Sequence, residues 1–120
     1  MSYDPTNIFA RILRGEIPCT KLYEDDYALA FPDINPQAPT HLLVIPKGAY
    51  VSFEDFSEHA ADAEITGFIR AVGTVARAAG LAELGFRLLA NHGPHSHQDV
   101  PHFHIHILGG KPLGPLLVKA

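Results

Sequence analysis

Near its C-terminal end the chain reads His102-Phe103-His104-Ile105-His106-Ile107-Leu108, in which imidazole and large apolar side chains alternate strictly. Alternation at period two is the signature of a β-strand, because successive side chains of a strand point to opposite faces of the sheet. We therefore predict a strand over residues 102–108. One face of this strand buries Phe103, Ile105 and Ile107, and the other face carries all three imidazoles.

The row of imidazoles has three interpretations. Chance alternation is disfavoured because the pattern is strict. A metal site is possible because histidine is the commonest metal ligand. However, at ~3.3 Å per residue the backbones of His102 and His106 stand about 13 Å apart, so the three rings cannot share one ion, whose ligand atoms must lie ~2.0 Å from it. Two neighbouring rings together with His41 or a loop histidine could still bind one ion.

The third interpretation is nucleophilic and acid-base chemistry. With a pKa near 6.5, about three quarters of a free imidazole is neutral at pH 7 and has a lone pair for attack. Neighbouring rings ~7 Å apart would repel by roughly 1 to 2 kcal/mol if both were protonated, so we expect a neutral nucleophile beside a charged partner. A phosphorus near His104 is within reach of His106 but not of His102, which would act from behind by orienting His104.

The composition indicates one compact domain over residues 1–120, with 47% hydrophobic and 18% charged residues. The net charge of -4 has the wrong sign for general attraction to a nucleic-acid backbone, and no apolar run approaches the ~18 residues that span a bilayer. We expect neither a nucleic-acid partner nor a membrane partner. Cys19 is the only cysteine, which excludes an internal disulfide. With no signal-like stretch near Met1, we expect a cytoplasmic protein.

The rest of the chain predicts an α+β fold. A short helix is expected with Asp4 as its N-cap, Pro5 as its first residue and Gly15 as its stop. A long helix over residues 57–79 is closed by Gly80, and close packing of a neighbour is our reason for its internal glycines. A stiff proline-rich loop covers residues 32–40, and a polar loop covers residues 92–100. Five strands are expected, at residues 20–24, 27–31, 41–46, 86–91 and 102–108, in a mainly antiparallel sheet with one long and one short helix.

Shorter motifs occur in a fixed order around this frame: Ile8-Phe9, Glu16-Ile17-Pro18, Glu24-Asp25-Asp26, the run from Asp33 to His41, Val44-Ile45-Pro46-Lys47, Asn91 and Gly109-Gly110. Together with the three alternating histidines, they resemble the histidine triad (HIT) superfamily and, within it, the bacterial type of the Hint-like branch of nucleotide-binding proteins. The resemblance implies a five-stranded antiparallel α+β fold and a homodimer joined through the long helix and an edge strand. It also implies hydrolysis of purine nucleoside 5'-phosphoramidates or acyl-nucleotides, which releases AMP or GMP.

Carried over position by position, the resemblance implies a covalent nucleotidyl-histidine intermediate on His104. His106 would contact the phosphate, His102 would support the nucleophile and His41 would complete the set. Asp33 would accept hydrogen bonds from the ribose hydroxyls. The residues implied for the purine wall are apolar: Phe9, Ile12, Ile17, Phe31, Ile34 and Leu43. The residues implied near the phosphate, sugar and leaving group are Asn91, Gln98, Asp99 and Val100.

Two positions depart from the pattern of the family. Asp99 stands where better-known eukaryotic members have a serine that can donate to the leaving group, and a carboxylate donates only when it is protonated. Asn7 and Ala10 stand where some bacterial relatives carry a zinc-binding cysteine pair. We therefore predict no structural metal and no cofactor.

Other interpretations remain open at this point. Asp33 is also a typical turn residue that binds its own backbone. The loop histidines are expected to be solvated rather than functional: His92, His95 and His97. The competing functions are a dinucleoside polyphosphate hydrolase, a non-catalytic nucleotide sensor or scaffold, and a metalloenzyme.

Overall fold

The computed structural model describes residues 2–117, and within this range the backbone forms one five-stranded antiparallel sheet in the order β1-β2-β3-β5-β4. The strands are β1 (Tyr23–Glu24), β2 (Ala28–Pro32), β3 (Thr40–Pro46), β4 (Phe86–Leu89) and β5 (Ile105–Gly109). Three α-helices lie in the same range: α1 (Ile8–Leu13), α2 (Phe53–His59) and α3 (Asp62–Ala78). The predicted α+β class and the antiparallel five-stranded sheet are confirmed. Met1 and residues 118–120, the ends of the expected single domain, lie outside the described range.

Helices cover the two faces of the sheet unequally. On one face, Phe68 and Val72 of α3 pack in a cluster with Phe103, Ile105 and Ile107, which confirms the predicted buried face of the histidine segment. On the other face, a smaller cluster joins residues of α1, β2 and β3: Phe9, Ile12, Leu29, Phe31, Leu43 and Ile45. Because α1 has only six residues, it leaves room beside it over the histidine-bearing side of the sheet. Along the described chain, no helix combines the length and the apolar character needed to cross a bilayer.

The prediction of one long helix over residues 57–79 is wrong, because two helices occupy this region. The break falls at Ala60, whose backbone is extended (φ -70°, ψ 148°). The start of α3 is held by Glu64, whose Oε1 accepts hydrogen bonds from the Ala61 amide at 3.2 Å and from the Tyr50 hydroxyl at 2.8 Å. Alanines are good helix formers, so the local pattern contained no signal for this break.

The start of α1 is also corrected. Asn7, not Asp4, is the N-cap, and its side chain accepts from the Ala10 amide at 2.9 Å. Asp4 instead forms a turn in which its Oδ1 accepts from the Thr6 amide and hydroxyl. The stop at Gly15 is confirmed, since its φ of 79° lies in the left-handed region that favours glycine.

The last strand begins three residues later than predicted, at Ile105. Residues 102–104 lie outside the ladder, although the Phe103 amide donates to the Tyr50 carbonyl at 2.7 Å. Pro46, at the end of β3, has no N–H to pair, and its carbonyl is used by the His102 ring at 2.8 Å. The end of β3 therefore binds a side chain instead of extending the ladder. Two other strands are also shorter than predicted. The strand predicted at residues 20–24 is Tyr23–Glu24, and the one predicted at residues 86–91 is Phe86–Leu89.

The two internal glycines of α3 differ in their surroundings. A Cβ atom added to Gly67 would lie 2.3 Å from Cδ2 of the Tyr27 ring, which confirms close packing there. A Cβ atom added to Gly73 would meet the guanidinium of Arg77 at 3.1 Å, and this long side chain can move away.

We predict opposite effects for two alanine substitutions in α3. Gly67→Ala should lower the free energy of unfolding by about 1 kcal/mol or more, because the new methyl group overpacks against Tyr27. Gly73→Ala should raise it by up to about 1 kcal/mol through helix propensity. Urea unfolding of the two variants at one protein concentration measures both changes, and effects of the same sign would contradict the packing described here.

Candidate active site

A cavity of about 680 Å³ opens between α1, the loop after β2 and the loop before β5, within the ~300 to 1,000 Å³ usual for small-molecule sites. We call it the histidine cavity because His104 and His106 line it. The structure brings most of the predicted site residues together in its lining: Phe9, Ile12, Ile17, Phe31, Asp33, Ile34, Leu43, Asn91, Asp99, Val100, His104 and His106. His41, His102 and Gln98 are predicted residues that do not line it.

His104 presents one defined nitrogen to the cavity. Its Nδ1 lies 2.7 Å from the backbone carbonyl of His102, and because a carbonyl can only accept, Nδ1 carries the proton. Nε2 is therefore the unprotonated nitrogen with the free lone pair. Burial is the main cause that lowers the pKa of His104, and its exposed fraction is 6%. The lowered pKa favours the neutral ring, whose Nε2 lone pair is available for attack.

A chain of hydrogen bonds orients His106. The amide of Gln37 donates to Nδ1 of His41 at 3.0 Å, so His41 carries its proton on Nε2. That nitrogen lies 2.9 Å from Nδ1 of His106, which must then accept. The remaining proton of His106 is on Nε2, and the neutral ring can offer it to a ligand in the cavity.

Burial, together with the nearby positive charge that His104 or His41 would carry, lowers the pKa of His106 to about 4. The sequence led us to expect a charged partner beside the nucleophile, and this expectation is corrected. The structure favours a neutral donor there, because the ring of His106 is desolvated by burial and lies closer to the His104 ring than the strand spacing suggested, with centroids 5.1 Å apart.

The two carboxylate oxygens of Asp33 have different surroundings. Its Oδ1 accepts from the Asn35 amide at 2.8 Å, as in the turn interpretation. Its Oδ2 faces the histidines, 3.3 Å from Nε2 of His41 and 4.0 Å from Nδ1 of His106. One carboxylate oxygen thus holds the proline-rich loop, and the other stands at the edge of the histidine cavity.

Asp33, His41 and His106 also satisfy the spacing of a metal site, since one ligand atom of each lies within 4.8 Å of the others. The hydrogen bonds argue against this use. Nδ1 of His41 already accepts from the Gln37 amide, so an ion bound through Nε2 would have to displace the proton from a neutral imidazole. Asp33, His41 and His106 are therefore better suited to a chain of hydrogen bonds than to binding a metal ion.

His102 holds the ring of His104 through its backbone carbonyl. Its ring is fully buried; Nε2 donates to the Pro46 carbonyl at 2.8 Å, and Nδ1 accepts from the Tyr3 hydroxyl at 2.6 Å. Burial lowers the pKa of His102 to about 4. The expected ring that orients His104 is therefore replaced by a carbonyl, while the ring itself ties the N-terminal segment to the end of β3.

Gln98 holds a loop instead of facing a ligand. Its Nε2 donates to the carbonyls of Val51 and Val100, at 2.7 and 3.1 Å, and its Oε1 accepts from the Gly93 amide at 3.0 Å. The structure does not bring its side chain into the histidine cavity, although the neighbouring Asp99 and Val100 line it.

The loop histidines have different environments. Nδ1 of His92 lies 2.7 Å from the Ser52 hydroxyl, and His95 is exposed. His97 lines the histidine cavity, with its Nε2 3.1 Å from Oδ1 of Asp99. The interpretation of His97 as a merely solvated residue missed this pairing, for which the sequence signal was the acidic residue two positions later.

Comparisons with known proteins agree on one family. Residues 14–113 match the family model described as the HIT domain. A HIT-like protein of Azospirillum brasilense is 64% identical over 118 residues, covering 98% of this chain and 97% of that one. The purine nucleoside phosphoramidase of Escherichia coli (strain K12) is 45% identical over 111 residues, 92% of each chain. The solved structure of a HIT family hydrolase from Clostridium thermocellum has a TM-score of 0.85 and 37% identity, covering 94% of this chain and 97% of that chain.

The buried histidines predict a loss of stability in mild acid. His102 and His106 have a pKa of about 4 in the folded state, against ~6.5 when unfolded. Between these values the unfolded chain binds more protons. The free energy of unfolding should therefore fall as the pH drops from about 6.5 to 4, by up to ~1.4 kcal/mol per pH unit for each histidine.

Urea unfolding between pH 7 and 4.5 measures this slope. His102→Gln should be less steep than the wild type, because an amide can still donate to Pro46 and accept from Tyr3 but does not titrate. His95→Gln, at an exposed loop position, is the matched control and should keep the wild-type slope. Equal slopes for all three proteins would contradict a buried neutral His102.

Proposed function

This chain belongs to the HIT domain family, and we propose that it is a nucleotide-binding hydrolase that cleaves purine nucleoside 5'-phosphoramidates or acyl-nucleotides to the nucleoside monophosphate. The observation that carries the proposal is the orientation of His104, whose Nδ1 proton is held by the His102 carbonyl so that Nε2 is free in the cavity. The similarity to the purine nucleoside phosphoramidase of Escherichia coli supports the same substrate class.

In the proposed reaction, Nε2 of His104 attacks phosphorus. The new Nε2–P bond forms as the bond from phosphorus to the leaving nitrogen or oxygen breaks, and the leaving group takes the bonding pair. A leaving amine also takes a proton from solvent water, whereas a carboxylate leaves as the anion. The resulting nucleotidyl-histidine is then hydrolysed by water, which frees the ring. Covalent capture of this kind divides one difficult displacement into two easier ones.

Two hydrogen bonds support the charge that develops in this step. The ring of His104 gains positive charge when Nε2 bonds to phosphorus, and the His102 carbonyl at 2.7 Å stabilises that charge through Nδ1–H. Nε2–H of His106 is available to the phosphoryl oxygens, since its Nδ1 is held by His41 at 2.9 Å. Donors fixed in advance stabilise developing charge without reorganisation.

The nucleoside is proposed to lie along the apolar side of the cavity. The rings of Phe9 and Phe31 meet edge to face, with centroids 5.6 Å apart, and offer a firm apolar surface to a purine. Ile34 is largely exposed at the mouth and would cover the base. Oδ2 of Asp33 is proposed to accept hydrogen bonds from the ribose hydroxyls. These bonds would replace its contact with Nε2 of His41. Asn91, which lines the cavity, is proposed to reach the phosphate.

The charges of the cavity favour a phosphoramidate over a dinucleoside polyphosphate. Among the described residues that line it, Asp33 and Asp99 are carboxylates and none is a lysine or arginine. A polyphosphate bridge brings several negative charges close together, whereas a nucleoside 5'-phosphoramidate brings one. The acidic lining would repel the polyphosphate more strongly.

We also propose a homodimer, formed across the β4 edge. Helix α3 packs on β2 and β3, so the same face of the sheet is less covered at β4. There Phe86 and Leu88 are 40% and 48% exposed. An unpaired edge strand beside an apolar surface suits pairing with a second copy of the chain.

The reaction is proposed to take place in the cytoplasm, where the free thiol of Cys19 stays reduced.

Leu88→Lys should convert the dimer to a monomer, because a charge would be buried at the proposed contact. Leu84→Lys is the matched control: it makes the same chemical change at a turn residue that is 98% exposed and should leave the dimer intact. Sedimentation velocity over a range of concentrations distinguishes the two states. A wild-type protein that sediments as a monomer, or an L88K variant that still dimerises, would contradict this interface.

The proposed reaction predicts that His104→Asn lowers kcat by about a thousandfold or more. Asparagine can still donate to the His102 carbonyl, so the fold should be kept, which circular dichroism checks. His95→Asn should retain the wild-type rate. Mass spectrometry of the rapidly quenched wild-type reaction should locate an AMP group on His104, and an adenosine 5'-phosphoramidate should turn over far faster than a diadenosine polyphosphate.

Three outcomes would reject parts of this proposal. Normal turnover by His104→Asn would exclude the nucleophile. A faster reaction with the diadenosine polyphosphate would favour that neighbouring activity. Binding of AMP by the wild type without turnover of either compound would instead indicate a nucleotide sensor.

A further inference from the structure

The negative charge of Asp99 has no evident use in binding a phosphate. Its side chain is 73% exposed at the rim of the histidine cavity. It lies close enough to His104 and His106 that its negative charge raises the pKa of both rings, although burial has the larger effect and the net pKa of each is lowered. A phosphate bound between these two rings would therefore be repelled by Asp99.

The neighbouring positive charges do not remove this repulsion. Within the described chain, neither lysine nor arginine lines the histidine cavity. Arg87 lines a separate cavity on the far side of His106, of about 310 Å³, and its Nη2 donates to the Gly114 carbonyl at 2.8 Å. The charge that would balance Asp99 must then come from His97 or from the substrate.

His97 can balance Asp99 only in part. Its Nε2 lies 3.1 Å from Oδ1 of Asp99, and its side chain is 91% exposed. Ion pairs this exposed are weak, and the imidazole carries a positive charge only when it is protonated. The carboxylate is therefore available to a stronger cation brought by a ligand.

We propose that Asp99 is a specificity-determining residue that favours nucleotides whose leaving group carries an ammonium group. The inference rests on the proposed hydrolysis and adds the chemical class of the leaving group. During the reaction the bond from phosphorus to the leaving nitrogen breaks, while the remote ammonium group keeps its protons and pairs with the carboxylate. His97 competes with the ammonium group for Asp99, so it weakens the preference.

The test compares two adenosine 5'-phosphoramidates of equal leaving-group length, one made from 1,4-diaminobutane and the other from n-pentylamine. The measured quantity is the ratio of kcat/KM for the cationic substrate to that for the neutral one. The intrinsic difference between the two amines is the same for every enzyme variant. Differences in this ratio between variants therefore reflect only the contribution of the protein to the substrate preference.

Asp99→Asn keeps the shape of the side chain and should lower the ratio about three- to fivefold, the size of an exposed charge interaction. Asp99→Ser should lower it by a similar factor. His97→Gln should raise it, because Asp99 loses its competing partner. Added salt should reduce the preference of the wild type and leave the ratio of Asp99→Asn nearly constant.

The possible failures are distinguishable. If the wild type turns over neither substrate, the proposed hydrolysis itself is wrong. If it turns over both substrates and the ratio is unchanged in Asp99→Asn and Asp99→Ser, only the inference about Asp99 is overturned. A His97→Gln variant that slows both substrates equally would overturn the competition between His97 and the ammonium group, and would assign His97 to proton donation instead.

Discussion

The hydrogen bond from Nδ1 of His104 to the carbonyl of His102 is the contact on which the site depends. It selects the tautomer that leaves Nε2 free, and it is possible because residues 102–104 lie outside the β5 ladder. A carbonyl within a ladder is normally committed to the neighbouring strand. Here the Pro46 carbonyl, at the end of β3, accepts from the His102 ring, and the His102 carbonyl accepts from His104. The irregular start of the last strand is thus what leaves Nε2 of His104 unprotonated, as the proposed reaction requires.

Burial keeps this row of histidines neutral and makes it sensitive to acid for the same reason. A ring with a pKa of about 4, as in His102 and His106, keeps its lone pair and its single N–H throughout the neutral range. The orientation of each ring then follows from its partners, such as the Gln37 amide on His41. A more exposed row would be more stable in acid, but it would exchange between tautomers and carry partial charge near neutral pH. Stability in acid and a single defined tautomer of the buried histidines are therefore opposed in this fold.

Much of the fold could be predicted from local patterns, whereas most of the residues that line the cavity were expected only from the family resemblance. Period-two alternation correctly assigned Phe103, Ile105 and Ile107 to the buried face, and Gly15 ended α1 as expected. Contacts between distant segments could not be predicted. The His102 ring binds Tyr3, 99 positions away in the chain, and the break before α3 depends on a hydrogen bond between Tyr50 and Glu64. The direction of the Gln98 side chain was also missed, since it depends on the Val51 carbonyl.

The charges of the histidine cavity indicate how it would bind a phosphate group in the ground state and in the transition state. A lysine beside the phosphate would attract the bound substrate as well as the transition state, which improves binding without speeding the reaction. Neutral N–H groups such as that of His106 attract an anion less strongly in the ground state. They gain strength as charge builds on the phosphoryl oxygens, because they are already oriented and the surroundings are buried. With Asp33 holding one edge of the cavity and no lysine or arginine in the described lining, the site suits the proposed reaction. It would stabilise the transition state and release the nucleoside monophosphate, whose additional charge the carboxylates oppose.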